Sequence, residues 1–181
     1  MTFVFLLEEK SMQAFLDTIL PKILPSGANV YTIAHEGKSD LQKSIPHKLK
    51  AWNTPDTKFF IIQDQDSSDC RKLKQKLCSL CDGYGKEYIV RIACHELEAW
   101  YFGDLHAVEQ AYGVCLDKYK KKSTYRDPDA IENPKYELRK LVPQHQQISG
   151  ARKIGAYIDI ENNKSVSFQQ LINGIKKCME C

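Results

Sequence analysis

The sequence lacks any apolar run near the roughly 20 residues that a membrane-spanning helix needs. It also lacks a strong charge of one sign, because 26 Lys and Arg stand against 23 Asp and Glu, a formal net charge of +3. So small an excess permits a nucleic-acid partner without requiring one. Apolar residues at 43% and charged residues at 27% are average for a globular protein, which excludes a disordered tail, a collagen and a coiled coil. We expect no membrane partner.

The start of the chain has neither the basic flank nor the small-residue cleavage site of a secretion signal. We therefore expect the seven cysteines to be reduced thiols in a cytoplasm. Two CxxC pairs, Cys78/Cys81 and Cys178/Cys181, offer enough thiolates for a tetrahedral zinc site. The pairs lie about 100 residues apart, far beyond zinc-ribbon spacing. Small buried cysteines are therefore the favoured interpretation, and zinc is the alternative.

Two catalytic motifs are incomplete. A Gly-Lys-Ser occurs at Gly37–Ser39, but Thr32 stands where the phosphate-binding loop GxxxxGK(S/T) has its first glycine, so a P-loop is excluded. Gly37 and Lys38 can still meet a phosphate at a helix N-terminus. His95 and Glu96 begin like the zinc motif HExxH, whose second histidine is missing. We expect His95 to be a hydrogen-bonded structural residue.

Short apolar runs alternate with segments of helical periodicity. The runs rich in β formers predict buried parallel strands at Thr2–Leu7, Ala28–Ala34, Lys58–Gln63 and Tyr88–Cys94. The helical stripes span Met12–Leu24, Leu41–Trp52, Cys70–Leu80 and Leu105–Tyr112. Ser11 and Asp69 are the expected N-caps, and Pro46 is expected to break the second helix. This alternation predicts an α/β fold with a mostly parallel, Rossmann-like sheet of four strands flanked by helices.

The last third of the chain has a different character. Loops at Asp127-Pro128 and Asn133-Pro134 separate short helical segments, among them Ala151–Tyr157 and Phe168–Ile175. A separate domain of about 65 residues would be marginally stable. We therefore expect an α/β core over residues 1–115 and a mainly helical C-terminal extension over 116–181 that packs on the core.

Acidic residues follow the predicted strands, and ligands bind at the carboxyl ends of strands in open α/β sheets. Like charges in one cleft repel unless a divalent cation neutralises them, and oxygen ligands suit Mg²⁺ or Mn²⁺. Asp64 and Asp66, one residue apart, would point the same way in an extended strand. The alternative is that Asp and Ser after a strand only cap the next helix. The candidate catalytic and metal-binding residues are Glu8, Asp64, Asp66 and Glu98, whereas Glu9 is expected to be solvated or capping.

Five segments of the chain carry a family resemblance: LLEEKSMQAFL, HEGKSDLQKSI, FFIIQDQDSSDC, VRIACHELEAWYFGDL and GARKIGAY…NKSVSFQQLI. They resemble the bacterial family called domain of unknown function 4276, which is described as TOPRIM-like, after the fold of topoisomerases, primases and overcoming-lysogenization-defect nucleases. The resemblance implies the TOPRIM glutamate at Glu8, Mg²⁺-binding aspartates at Asp64 and Asp66, and a further acidic residue at Glu98. Many relatives have Glu-Gly where this chain has Glu8-Glu9, which removes the glycine that lets backbone approach a phosphate.

Two functions of different classes follow from these expectations. The first is an Mg²⁺-dependent nuclease, or another phosphodiester-processing enzyme, that acts on nucleic acid, with a role in phage defence implied by the resemblance. The alternative is a non-catalytic module with a vestigial metal site that binds nucleic acid or an ATPase partner. The candidate substrate-binding residues are Lys38, Arg91, Lys120, Lys121, Lys122 and Arg126.

Other basic and aromatic side chains extend this set. Lys43, Lys48 and Lys50 form a second candidate track for a nucleic-acid backbone. Tyr119 and Tyr125, which are interleaved with the basic stretch, could stack bases. The alternative for the lysines is an ordinary solvated face.

Overall fold

The computed structural model describes residues 1–180. Within this range, four parallel strands form one sheet in the order β2-β1-β3-β4. The strands are β1 Thr2–Leu7, β2 Asn29–Ala34, β3 Thr57–Asp64 and β4 Glu87–Ala93. The predicted α/β class and the four-stranded parallel sheet are therefore confirmed. The two inner strands, β1 and β3, are buried almost throughout, as their continuous apolar sequences require.

The strands alternate with helices, and further helices follow the last strand. The α-helices of the described residues are α1 Lys10–Ile19, α2 Lys38–Ala51, α3 Cys70–Cys81, α4 Glu98–Phe102, α5 Leu105–Tyr112, α6 Asp117–Lys120, α7 Pro134–Leu141, α8 Gln147–Tyr157 and α9 Val166–Met179. Short 3-10 helices lie at Leu20–Lys22, Ser123–Tyr125 and Pro128–Ala130. None of them combines the length and the apolar character that a membrane crossing requires.

The sheet is covered on both faces by two separate hydrophobic clusters. Side chains alternate along β1, so Phe5 and Leu6 belong to different clusters. Helices α2 and α3 cover one face, where Leu41, Ile45 and Leu77 pack. The other cluster joins α1 to helices from the C-terminal part of the chain. It contains Phe15, Trp100, Ile154 and Phe168, so residues on both sides of the expected boundary at 115 share one core.

Two expectations about the helices are wrong in detail. Ser11 is not the N-cap of α1, because the helix begins at Lys10, and the Ser11 hydroxyl donates a hydrogen bond to the Glu9 carboxylate from within the first turn. Pro46 does not break α2, which runs through it for 14 residues. Proline removes one helical hydrogen bond, but burial of the Leu41–Ile45–Leu49 stripe on the sheet holds the helix together. Asp69 does cap α3, since its carboxylate accepts from the Lys72 backbone N–H at 2.8 Å.

Gly155 lets α8 approach α1 closely. A Cβ at this position would lie 2.0 Å from Thr18 Oγ1 and 3.3 Å from the Phe15 carbonyl oxygen. We expect Gly155→Ala to lower the free energy of unfolding by about 1–3 kcal/mol, measured by urea denaturation. Adding Thr18→Ala, which removes the nearest atom, should recover part of this loss. A Gly155→Ala protein as stable as wild type would contradict this close packing of the two helices.

Candidate metal centre

The register of the two inner strands places Glu8 next to Asp64. Leu7 at the end of β1 pairs with Ile62 of β3, and β3 continues to Asp64, so Glu8 leaves β1 beside the end of β3. The Glu8 carboxylate accepts a hydrogen bond from the Asp64 backbone N–H at 3.1 Å. The pKa of Glu8 is raised, mainly because the carboxyl is partly buried. The hydrogen bond from Asp64 lowers this pKa, whereas the nearby charge of Asp66 raises it.

Asp64 is a buried carboxylate with an unsatisfied oxygen. Its residue is 7% exposed, and its Oδ1 atom has no hydrogen-bond partner within residues 1–180. Burial raises the pKa of Asp64 well above its usual value, and the charges of Glu8 and Glu98 raise it further. A buried carboxylate of this kind is costly unless a proton or a cation neutralises it.

Glu98 approaches Asp64 from the first turn of α4. It is 3% exposed, and burial raises its pKa to about 7, although the positive charge of Lys135 opposes the shift. Tyr101 is buried one turn further along the same helix, and its pKa is raised by burial and then by the charges of Glu98 and Asp64. Asp64 and Glu98 therefore lie in the same poorly solvated region, where their charges interact strongly.

Asp66 reaches this edge of the sheet in a different way from the one its spacing indicates. Strand β3 ends at Asp64, and Asp66 has a left-handed backbone with φ of 51°, so the two side chains do not share one extended strand. The Asp66 backbone N–H donates to the His95 carbonyl oxygen at 2.8 Å, which ties together the loops after β3 and β4. The exposed Asp66 carboxylate pairs with Lys38 Nζ at 3.1 Å. Asp66 therefore faces the start of α2.

The four predicted ligands are neighbours but do not converge on one point. Within residues 1–180, the group of three candidate ligands whose atoms all lie within 4.8 Å of one another is Glu109, Cys115 and Asp117. That group already holds a cation, because Lys120 Nζ lies 2.5 Å from Glu109 and 3.1 Å from Asp117. The residues at the sheet edge fit a hard cation by their oxygen-only donor set and by the orphaned Asp64 oxygen.

Lys135 of α7 belongs to the same site, although no motif or spacing in the chain connects it with the carboxylates. Its Nζ lies 3.6 Å from Glu96 Oε1, and its backbone N–H donates to Glu96 Oε2 at 3.0 Å. Burial alone would lower the pKa of Lys135, but carboxylates outweigh burial and raise it. These are Glu98, Glu96, Glu9 and Asp64. Lys135 is therefore a half-buried counter-charge for the acidic cluster.

The family assignment covers all of these residues. A family model described as Domain of unknown function (DUF4276) matches residues 7–176. The chain belongs to this family. No curated protein and no solved structure matches the chain. The matched range contains Glu8, Asp64, Asp66, Glu98 and Lys135, so every member of the acidic site lies in the family region.

The basic residues predicted to bind substrate occupy three different places in this DUF4276 protein. Lys38 lies at the acidic site through its pair with Asp66. Arg91 lies within β4, where its guanidinium donates to the carbonyl oxygens of Gln170 at 2.8 Å and Val90 at 3.0 Å. The bond to Gln170 attaches the Arg91 side chain to α9.

The basic stretch after α5 is a third location. Lys120 is engaged by the carboxylates of Glu109 and Asp117, while Lys121, Lys122 and Arg126 are exposed. Tyr125 is not available for base stacking, because its ring is buried against Phe102 and its hydroxyl donates to Glu137 at 2.8 Å. Tyr119 is half-buried beside it, with Lys122 Nζ 4.9 Å from the ring centre.

The cysteines of the DUF4276 chain include a pair on the last turn of α3. Cys81 is buried, its thiol donates to the Leu77 carbonyl oxygen at 3.2 Å, and burial raises its pKa to about 12. This is the behaviour of a small hydrophobic residue. Within residues 1–180, Cys78 and Cys81 do not join a third candidate metal ligand. Cys181 of the second pair lies outside the described residues.

Proposed function

We propose that this protein is a TOPRIM-like enzyme that hydrolyses phosphodiester bonds in nucleic acid with Mg²⁺ or Mn²⁺, which on binding would draw together the neighbouring carboxylates of Glu8, Asp64, Asp66 and Glu98. The observation that supports this best is the buried Asp64 oxygen without a partner, which lies beside two further carboxylates. The capping Asp69 is exposed and accepts from a backbone N–H, whereas Asp64 has a buried oxygen without a partner even though the Leu97 backbone N–H acts on its carboxyl. The parallel sheet, with acidic residues gathered at its carboxyl edge, also supports the proposal.

Each side chain has a distinct part in this reaction. A divalent cation, when bound, supplies stabilisation for the negative charge that develops on the transferring phosphoryl group. Glu98, whose pKa is about 7 in the ion-free protein, would give up its proton when it binds the cation. Lys38, which is exposed beside Asp66, is placed to contact a phosphate oxygen. Lys135 keeps the carboxylates in place before substrate arrives.

The choice of substrates to test follows from the resemblance to TOPRIM-like proteins of phage-defence systems. Phage and plasmid DNA come first, then RNA. A cytoplasmic location is part of the same proposal. Binding of Mn²⁺ without cleavage of any nucleic acid would favour the non-catalytic module, in which the site regulates an ATPase partner.

The test compares Asp64→Asn with Asp56→Asn. Asp64→Asn should weaken Mn²⁺ binding about tenfold or more, equivalent to about 1.4 kcal/mol, in isothermal titration, and cleavage should be lost with it. Asp56→Asn removes the same charge at the opposite end of the sheet, and asparagine tolerates its left-handed backbone at φ 49°. Unchanged Mn²⁺ affinity and cleavage in Asp64→Asn would refute the proposed site.

A further inference from the structure

Helices α2 and α3 concentrate the positive charge of the molecule. In the sequence, α2 has four basic residues and one acidic residue, and α3 has four basic residues and none that is acidic. The two helices therefore carry an excess of seven positive charges, whereas the whole chain has a net charge of +3. The rest of the chain is thus net negative by four charges. Because α2 and α3 cover the same face of the sheet, that face is basic and the rest is acidic.

A groove of about 600 Å³ lies between the first halves of these two helices. Lys38 lines it from α2, and Lys72 and Lys76, one turn apart, line it from α3. Two amides also line it, Gln42 and the buried Gln63, joined by a hydrogen bond of 2.9 Å. Asp69 is the one carboxylate of its lining, and it accepts the hydrogen bond that caps α3.

The groove and the proposed metal centre meet at Lys38. Lys38 lines the groove and also pairs with Asp66, one of the proposed ligands. Helices α2 and α3 both begin at the carboxyl edge of the sheet, so the positive ends of their dipoles point to the same place. An anion in the groove would meet three ammonium groups and then the metal site.

We propose that the α2–α3 groove binds the sugar–phosphate backbone of a nucleic-acid strand and guides it to the acidic site. The inference rests on the proposed function for what happens at that site, but backbone binding itself needs no metal ion. Contacts from lysines to phosphates position a strand without reading its sequence, so binding is sequence-independent and weakens with salt. The stretch Lys120–Arg126 is a poorer candidate, because two carboxylates already neutralise Lys120.

The experiment measures binding of labelled single-stranded DNA and of its duplex by fluorescence anisotropy, in EDTA, over a range of salt concentrations. Lys72→Gln/Lys76→Gln should bind about tenfold more weakly, and the slope of log affinity against log salt should become shallower by about 1.4 to 1.8, for two lost phosphate contacts. Glutamine keeps the helix propensity at these exposed positions, and circular dichroism checks the fold. Arg152→Gln/Lys153→Gln removes the same charge from α8 on the other face, and its affinity should stay at the wild-type value.

Several outcomes would overturn the inference. Wild-type affinity in Lys72→Gln/Lys76→Gln would do so, as would an equal loss in the α8 control or in Lys121→Gln/Lys122→Gln. Absence of DNA binding by the wild-type protein in EDTA, with Mn²⁺ binding intact, would refute the groove and leave the metal centre standing. Conversely, DNA binding that persists in a wild-type protein unable to bind Mn²⁺ would support the groove and refute the metal centre.

Discussion

Replacing Lys135 with methionine is expected to lower the free energy of unfolding of the metal-free protein by about 2–3 kcal/mol at about pH 8. Methionine keeps an apolar stem of similar length, so the change mainly removes the charge. That charge faces the buried carboxylates of Glu98 and Asp64 and the half-buried Glu96. Without it, these carboxylates stay buried at high pH with no internal cation.

The sign of the pH dependence follows from Glu98. Lys135 holds its pKa down, and the pKa is nevertheless about 7. Removing Lys135 raises that pKa further, so the variant loses the full amount of stability only where Glu98 is ionised. At about pH 5 Glu98 is protonated in both proteins, and the loss of stability should shrink. Saturating Mn²⁺ should also reduce the loss, because a cation bound to the folded state replaces the missing positive charge.

Urea denaturation under these three conditions measures the effect, and the same helix supplies a matched control. Lys140 of α7 is exposed and pairs with Glu137, so Lys140→Met should change the free energy of unfolding by no more than about 0.5 kcal/mol. A loss in Lys135→Met that is equal at both pH values and in Mn²⁺ would mean that Lys135 acts through packing alone.

The strands and the class of the fold could be predicted from the sequence because their signal is local. The run Thr2–Leu7 is buried on both faces, and a strand of that kind must be apolar at every position. The order β2-β1-β3-β4 could not be predicted, because alternation of strands and helices fixes neighbours along the chain and says nothing of pairing across the sheet. The continuation of α2 through Pro46 also could not be predicted from local sequence. Packing of three α2 side chains on the sheet outweighs the helix-breaking effect of this proline.

The candidate site was accessible to prediction only in part. Carboxylates at the ends of parallel strands follow from the strand assignment, which is why Glu8 and Asp64 could be named together. Lys135 could not be named, because it arrives from a helix more than 30 residues after Glu98 in the sequence, and no spacing rule connects the two. The turn of Asp66 away from β3 depends on the loop after β4, to which its backbone is bonded.

The distribution of charge over the surface could not be predicted from the sequence either. A net charge of +3 for the chain conceals a strongly basic pair of helices, since the opposite charges of the other elements cancel it in the sum. The helices α2 and α3 are separated in sequence by β3. Only the arrangement of helices on the sheet shows that their lysines line one groove.

A second large effect is expected from His145, which is buried in the connection between α7 and α8. The residue is 7% exposed, its Nδ1 shares a hydrogen bond of 2.8 Å with the Tyr112 hydroxyl, and its Nε2 has no partner within residues 1–180. The groups that face it are the rings of Tyr101 and Tyr112 and the positive charges of Arg139 and Lys135. Burial, then Arg139 and Lys135, lower the pKa of His145 to about 4.

A lowered pKa makes this histidine a source of acid sensitivity. The unfolded chain takes up a proton near pH 6.5 and the folded chain only near pH 4, so the folded state is fully favoured above pH 6.5 and loses stability as the pH falls between these values. The loss amounts to about 3 kcal/mol over the window. The raised pKa values of Glu8, Asp64 and Glu98 act in the opposite direction, because those carboxyls bind protons more readily in the folded state.

The difference between wild type and His145→Asn separates these contributions. Asparagine can still offer a polar atom to Tyr112 but does not titrate, so the wild-type advantage over the variant should be about 3 kcal/mol larger at neutral pH than at about pH 4. His47→Asn, at an exposed position of α2, is the control for the substitution itself. Parallel stability curves for wild type and His145→Asn would contradict the lowered pKa of His145.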